Sequence, residues 1–297
     1  MASIVFNTAL PGVDLSSTDI FGDLLDLDIV VRSSTRLTLA DEGDRYNFIG
    51  TGFSYEMAGP QIVGIPTGTV NQMTITFGSN TLLNWSGLAV SANQMFTFAA
   101  LGNWSGLNTL LLGQADTISM TNGEDQISSF GGNDRVLTLG GNDQADGGTG
   151  ADTLDGGAGN DKLFGGRGDD RLMGGGGADT LIGGAGVDRL TGGAGADVFA
   201  FTHRGGANRE VISDFSRRVD DLHFDNDAFD AFSYTGQLRA ADFVLGRAAQ
   251  DATDRFIYDR DSGNLWYDAD GSGRGAKTLV AELRDGTALG AGDIHIL

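Results

Sequence analysis

Apolar residues in the middle of the chain recur at neither the helical nor the simple strand period. Between residues 111 and 200 one apolar side chain returns every ninth residue: Ile118, Ile127, Val136, Ala145, Leu154, Leu163, Leu172, Leu181, Leu190 and Phe199. An aspartate stands two residues before each of them: Asp116, Asp125, Asp134, Asp143, Asp152, Asp161, Asp170, Asp179, Asp188 and Asp197. From Gly147 to Ala200 the units read GGTGADTLD, GGAGNDKLF, GGRGDDRLM, GGGGADTLI, GGAGVDRLT and GGAGADVFA. Glycine fills positions one, two and four, Asp position six, and Leu or Phe position eight. Looser units, LLGQADTIS, MTNGEDQIS, SFGGNDRVL and TLGGNDQAD, carry the register back to Leu111.

Glycine at three of nine positions rules out a helix, at a cost of about 1 kcal/mol each relative to alanine. Two glycines followed by a third admit positive φ and a tight turn. The x-apolar-x segment that follows reads as a three-residue strand with one inward side chain. Such a strand buries almost nothing alone. Two strands and two turns, that is two consecutive nonapeptides, make one coil, and stacked coils bury the apolar column. The pattern predicts an all-β chain built on a parallel β-roll (a β-solenoid with two nonapeptides per coil).

The flanks carry different patterns. Upstream, Ile29–Val31, Arg36–Leu39, Val70–Phe77 and Met95–Phe98 read as strands. The acidic stretch Asp14–Asp28, interleaved with Ile20, Phe21, Leu24 and Leu25, reads as a short amphipathic cap. Asn84–Leu88 (NWSGL) recurs as Asn103–Leu107, at a spacing close to one coil, which suggests a degenerate start of the solenoid before Leu111. Downstream, residues 201–297 hold eleven of the 25 aromatics. Arg255–Asp259 and Leu265–Asp268 alternate around Ser262-Gly263-Asn264, a β-hairpin pattern. The expected division is a β-rich N-terminal region over 1–110, the roll over 111–200 and a C-terminal β cap over 201–297.

Composition and charge narrow the chemistry. Glycine contributes 48 of 297 residues, against a usual share of about 7%. Forty acidic and 19 basic residues give a net charge of −21, which repels nucleic acid and anionic membrane and favours cations. There are no cysteines, which excludes disulfides, thiolate metal sites and a cysteine nucleophile. Three histidines, His203, His223 and His295, are scattered too widely to suggest a zinc cluster. Asp268–Gly273 begins like an EF-hand loop, but its twelfth position is Leu279 rather than Glu, so a polar turn is expected. No nucleophile elbow, phosphate loop or dinucleotide fingerprint occurs. No stretch approaches about 20 apolar residues, so no membrane-spanning helix is expected.

Aspartates two units apart fall on the same margin of the roll. One margin carries Asp116, Asp134, Asp152, Asp170 and Asp188, and the other Asp125, Asp143, Asp161, Asp179 and Asp197. Coils stack at about 4.8 Å, and two carboxylates about 5 Å apart repel by about 3 kcal/mol at an effective dielectric of 20. A divalent cation between coils removes that penalty. The donors on offer, carboxylates and glycine-turn carbonyls, are hard oxygens, and hard oxygens at six or more positions select calcium over zinc or copper. Magnesium, which gives up its waters reluctantly, is disfavoured.

The nonapeptide closely resembles the RTX (repeats-in-toxin, haemolysin-type calcium-binding) repeat, strictly over 147–200 and more loosely over 111–146. The resemblance implies an ion between turns two repeats apart. One turn would offer the carbonyls at positions two and four and its Asp, and the other the carbonyls at positions one and three and its Asp. So Gly148, Gly150 and Asp152 would face Gly165, Arg167 and Asp170. Gly157, Gly159 and Asp161 would face Gly174, Gly176 and Asp179. Gly166, Gly168 and Asp170 would face Gly183, Ala185 and Asp188, and Gly175, Gly177 and Asp179 would face Gly192, Ala194 and Asp197. Asp134 and Asp143 extend the two ladders upstream. Units 111–128 lack the glycine pair and carry Gln114 at position four, so no ion is assigned there. The resemblance implies roughly four to six calcium ions.

Glu210–Ser216 (EVISDFS) and Asp220–Phe224 (DDLHF) resemble the segment that closes RTX rolls. Gly292–Leu297, acidic and then apolar, resembles the C-terminal signal that type I secretion machinery reads, which suits an N-terminus without a basic region before Arg32. The resulting expectation is a secreted, extracellular, calcium-binding and non-enzymatic roll that folds on meeting calcium. Two alternatives stand beside it. One is a secreted hydrolase or polysaccharide-modifying enzyme with its catalytic part in 1–110, where Asp41, Glu42, Asp44 and Glu56 are the acids on offer. The other is an adhesin or matrix protein with a cell surface or polysaccharide as partner.

Overall fold

The computed structural model describes residues 113–297, apart from 114, 121, 206 and 272–276, and the backbone of the strands within residues 2–91. The chain forms two compact units, residues 1–138 and 139–297. Described regular structure is β apart from two short 3₁₀ turns, and no helix among these residues is long and apolar enough to cross a membrane.

In residues 1–138, Asp28–Ser33, Arg36–Asp41, Asp44–Ser54, Thr67–Phe77 and Asn80–Ser91 pair antiparallel in sequence order. The strands predicted at 29–31, 36–39 and 70–77 lie within them. Ala2–Phe6 pairs antiparallel with Asn80–Ser91 and parallel with Asp116–Ser119, which in turn pairs parallel with Arg135–Leu137. Asn84–Leu88 therefore sits in an antiparallel strand, with Trp85 opposite Ile4 and Met73, rather than in a parallel coil. Its spacing to the second NWSGL is close to a coil length, but the intervening chain lacks the nine-residue beat. Asn103–Leu107, Met95–Phe98, residues 14–27, Glu42 and Glu56 lie outside the described residues.

Residues 139–297 contain the roll. One face stacks Thr153–Ala158, Arg171–Gly176, Val187–Ala194, Arg209–Ile212 and Thr278–Leu283, all parallel. The other stacks Gln144–Asp146, Lys162–Arg167, Thr180–Ala185, Val198–Phe201, Asp221–Phe224 and Ile294–Ile296, also parallel. Register aligns Leu154, Leu172, Leu190, Ile212 and Leu283 in one buried column, and Ala145, Leu163, Leu181, Phe199, Leu222 and Ile294 in the other. Each such leucine contributes about 1.5–3 kcal/mol of burial, which a single coil could not collect. Four strands of the strict repeat, from Thr153–Ala158 to Thr180–Ala185, run six residues rather than the three that the sequence suggests, because the glycine backbone continues the parallel ladder through Gly157↔Gly175 and Gly166↔Gly184. Where the glycine pair is missing, as at Arg135–Leu137, the strand stays at three residues.

The exposed end of the last coil is covered by aromatics. Phe201 stacks on Phe224 with ring centroids 4.3 Å apart, Phe229 meets Phe224 edge-on at 4.9 Å, and Tyr267 meets Phe229 edge-on at 5.1 Å. Tyr267 belongs to the predicted hairpin, Phe256–Asp259 against Asn264–Tyr267, which turns at Gly263 with φ of +69. Covering the last coil satisfies the requirement that a solenoid end not expose its apolar interior.

Turn glycines are held by the approach of the next coil. At Gly159 φ is +130, and an added Cβ would overlap the carbonyl oxygen of Gly141. Replacement Gly159→Ala is expected to lower stability in calcium by more than about 2 kcal/mol, from the left-handed backbone and the overlap together. Denaturant melts check this; an unchanged midpoint would contradict the stacking geometry. Leu139 occupies the equivalent of a turn glycine at φ of +73, so Leu139→Gly is expected to be neutral or stabilising in the same assay.

Candidate metal centre

The position-six aspartates of the roll are buried although they carry charge; Asp161, Asp170 and Asp179 are each 1% exposed. Strand alternation turns them inward from the turn, two residues before the inward leucine. Each gives one oxygen to the backbone. Oδ1 of Asp161 accepts from the N–H of Asp143, Oδ1 of Asp170 from Asp152, Oδ1 of Asp179 from Asp161 and Oδ1 of Asp188 from Asp170, all at 2.8 Å. Asp197 accepts from Asp179 at 3.0 Å. In the N-terminal unit Asp134 accepts from Asp116 at 2.7 Å. The ladder expected from spacing is thus a hydrogen-bonded ladder as well.

The second oxygen is the informative one. Oδ2 of Asp161, Asp170, Asp179 and Asp188 is buried and accepts no hydrogen bond, a state that costs about 1–3 kcal/mol per group and more for a charge. These atoms lie beside the position-one glycine of their own unit, where for Asp161, Asp170 and Asp179 the position-one carbonyl of the next coil also arrives. A Cβ on Gly165 would stand 2.5 Å from both Asp170 Oδ2 and the Gly183 oxygen, and one on Gly147 would stand 2.5 Å from Asp152 Oδ2 and 2.8 Å from the Gly165 oxygen. The same convergence recurs at Gly156, with Asp161 and Gly174, and at Gly174, with Asp179 and Gly192. Position one is therefore glycine for space rather than for φ. The unpartnered oxygens and the glycine cradle fit a hard divalent cation.

Of the ligand sets implied by the repeat, the structure brings together Asp152 with Gly165, Asp161 with Gly174, Asp170 with Gly183, and Asp179 with Gly192. The position-three carbonyls already serve the coil-to-coil ladder: Arg167 accepts from Gly150, Gly176 from Gly159, Ala185 from Gly168 and Ala194 from Gly177, at 2.7–2.8 Å. The Gly148 carbonyl accepts from Arg167 at 2.8 Å. The position-four carbonyls of Gly150, Gly159 and Gly168 stand against the glycine one coil on, Gly168, Gly177 and Gly186. Position five adds an exposed ladder of its own, with Asn160 N–H donating to Asn142 and Ala178 N–H to Asn160.

Three acids beyond the repeat join this arrangement. Glu210 is the register partner of Asp188, and its Oε2 lies with Asp188 Oδ2 beside Gly183. Asp220 accepts from the Asp197 N–H at 3.1 Å. Asp214 accepts from Gly192 and Gly193 at 3.0 and 2.9 Å. The nine-residue count misses them because the coil here is longer, with hydrogen-bond separations of 21–23 residues rather than 18. A finer signal was present for two of them: Glu210-x-Ile212 and Asp220-x-Leu222 keep the acid two residues before an inward apolar side chain.

Burial raises the carboxyls. Asp170 and Asp197 are pushed up to about 6, first by loss of solvent and then by neighbouring acids, against the opposing hydrogen bonds from Asp152 and Asp179. Asp161, Asp179, Asp188 and Asp220 move the same way, led again by burial, and Glu210 is raised well above its ordinary value, through burial and then the Asp188 charge. A carboxyl raised in the folded state stabilises that state when protonated. This contribution is complete below about pH 4 and is lost as pH rises through about 6. Metal-free protein is therefore expected to gain a cooperative β transition as pH falls from 7.5 to 5, and calcium affinity to fall over the same window, since proton and ion compete for one oxygen. Melting followed by circular dichroism at the two pH values checks both; metal-free protein less ordered at pH 5 would contradict them.

Comparison with a known family agrees with this geometry. The family model of the RTX calcium-binding nonapeptide repeat matches in four copies, at residues 113–145, 137–172, 146–181 and 164–199. Residues 113–199 therefore carry RTX calcium-binding nonapeptide repeats, and such repeats bind calcium. Among solved structures it is similar to the extracellular lipase of Serratia marcescens, at 16% identity and a TM-score of 0.25, over 62% of this chain and 38% of the lipase. It is also similar to a subunit of the mannuronan C5-epimerase of Azotobacter vinelandii, at 25% identity and a TM-score of 0.26, over 61% of this chain and 78% of that one. No curated protein sequence matches significantly.

Proposed function

We propose that this is a secreted, non-enzymatic calcium-binding protein whose roll folds when the chain meets extracellular calcium after type I export. Ions would lie between coils on both margins. Asp152 with Gly165 and Asp170, and Asp170 with Gly183 and Asp188, would serve one margin. Asp161 with Gly174 and Asp179, and Asp179 with Gly192 and Asp197, would serve the other. Asp143, Glu210 and Asp220 would continue the ladders, and the turn carbonyls of Gly148, Gly150, Gly157, Gly159, Gly166, Gly168, Gly175 and Gly177 would complete the oxygen shells together with Arg167, Gly176, Ala185 and Ala194. The bound ion supplies the positive charge that buried, deprotonated carboxylates lack.

The observation that carries this reading is the row of buried Oδ2 atoms without hydrogen bonds at Asp161, Asp170, Asp179 and Asp188. Without an ion, each such atom opposes folding at neutral pH. In a cytosol poor in calcium that opposition keeps the chain loose enough to thread an export channel. Outside the cell, calcium near the ~0.1–1 mM range typical of extracellular modules would reverse it. The export step is tested by co-expression with a type I secretion apparatus. Appearance in the medium that depends on residues 292–297 is the expected result; retention in the cell irrespective of the apparatus would contradict it.

A further inference from the structure

Two of the three histidines, widely separated in sequence, are neighbours in the fold, which corrects the expectation of scattered rings. Asp221 and His223 lie two apart on one strand, so they share the outward face between the inward Leu222 and Phe224. The parallel partner strand Ile294–Ile296 sets His295 directly against His223, with ring centroids 5.2 Å apart. Nε2 of His295 is 3.7 Å from Oδ1 of Asp221. One donor atom from each of the three lies within 4.8 Å of the others.

We propose that Asp221, His223 and His295 form a second metal site, for a first-row divalent ion of the zinc type, separate from the calcium ladders. The donor set is two imidazoles and one carboxylate, with room left for water. Nitrogen donors suit zinc, nickel, copper and cobalt and are not the ligands calcium takes. Zinc bonds of about 2.0–2.1 Å place tetrahedral ligands about 3.4 Å apart, so closing the site would take side-chain rotation, and all three side chains are half-exposed. Their backbone is not free to move, being pinned by strand pairing on both sides: Val198 and Ala200 flank Asp221 and His223, and Gln237 flanks His295. These neighbours carry no charge, and among the described residues no arginine or lysine pairs with Asp221. An ion here would clip the strand Ile294–Ile296 to its neighbour Asp221–Phe224.

The test uses the full chain saturated with calcium and titrated with cobalt(II). The expected result is an intense visible absorption typical of low-coordinate cobalt with nitrogen ligands, saturating at one ion per chain and bleached by one equivalent of zinc. His223→Gln and His295→Gln should each weaken binding by about 10-fold or more, and His203→Gln should leave it unchanged. Calcium-induced circular dichroism should stay intact in every variant, which separates loss of the site from loss of the fold. No such absorption, or absorption that survives both His223→Gln and His295→Gln, would overturn the proposal. Because the calcium signal is read independently, its failure and that of the calcium sites are distinguishable.

Discussion

At neutral pH, chelating calcium is expected to convert the protein's β spectrum to that of a largely disordered chain over residues 139–297, and millimolar calcium to restore it. The size of the effect follows from linkage. At ten times the dissociation constant each site adds about 1.4 kcal/mol. Roughly four to six sites then add about 6–8 kcal/mol, comparable with the whole stability of a domain. Removing the ions also leaves buried carboxylate oxygens at Asp161, Asp170, Asp179 and Asp188 without a partner. Both effects run in the same direction, so the transition should be cooperative in calcium and strongly dependent on it. Circular dichroism with chelator and with calcium checks this, and a spectrum indifferent to chelator would contradict it.

The second large effect belongs to Asp170. Its Oδ1 holds the N–H of Asp152 at 2.8 Å, and its Oδ2 faces the Gly183 carbonyl in the cradle beside Gly165. Its own N–H is held by Asp188 at 2.8 Å, so it sits in mid-ladder. Truncation by Asp170→Ala leaves one buried N–H unpaired, at about 1–3 kcal/mol, and removes a ligand from the ions on either side. A loss of about 3–5 kcal/mol in calcium is expected, with one or two fewer ions bound. Arg171→Gln, next in sequence but on the exposed outward face, should change stability by less than about 0.5 kcal/mol. Denaturant melts of the two variants in saturating calcium provide the comparison; equal midpoints would contradict a mid-ladder role for Asp170.

The roll was legible because one physical constraint repeats. Leu154, Leu172 and Leu190 can be buried only by stacking, and their shared beat with the aspartates fixes both the coil length and the margins. The sequence could not show that each carboxylate divides its labour, one oxygen to backbone and one to the cradle, because that depends on how the glycine turn passes the next coil. Glu210 and Asp220 escaped the count because the connections before Arg209 and before Asp221 are longer than in the strict repeat while strand register is kept. His223 and His295 meet only through the pairing of two strands far apart in the chain, which no local pattern encodes. Of the two NWSGL copies, Asn84–Leu88 lies in a strand that pairs antiparallel, and the second lies outside the described residues.

Calorimetric titration of the metal-free protein with calcium at pH 7.5 addresses the central claim most directly. Roughly four to six ions per chain, taken up together with the enthalpy of folding, is the predicted outcome. Heat that reports no uptake, or uptake by a chain whose β content stays fixed throughout, would mean that the buried acids along the coils are not where calcium and folding are joined.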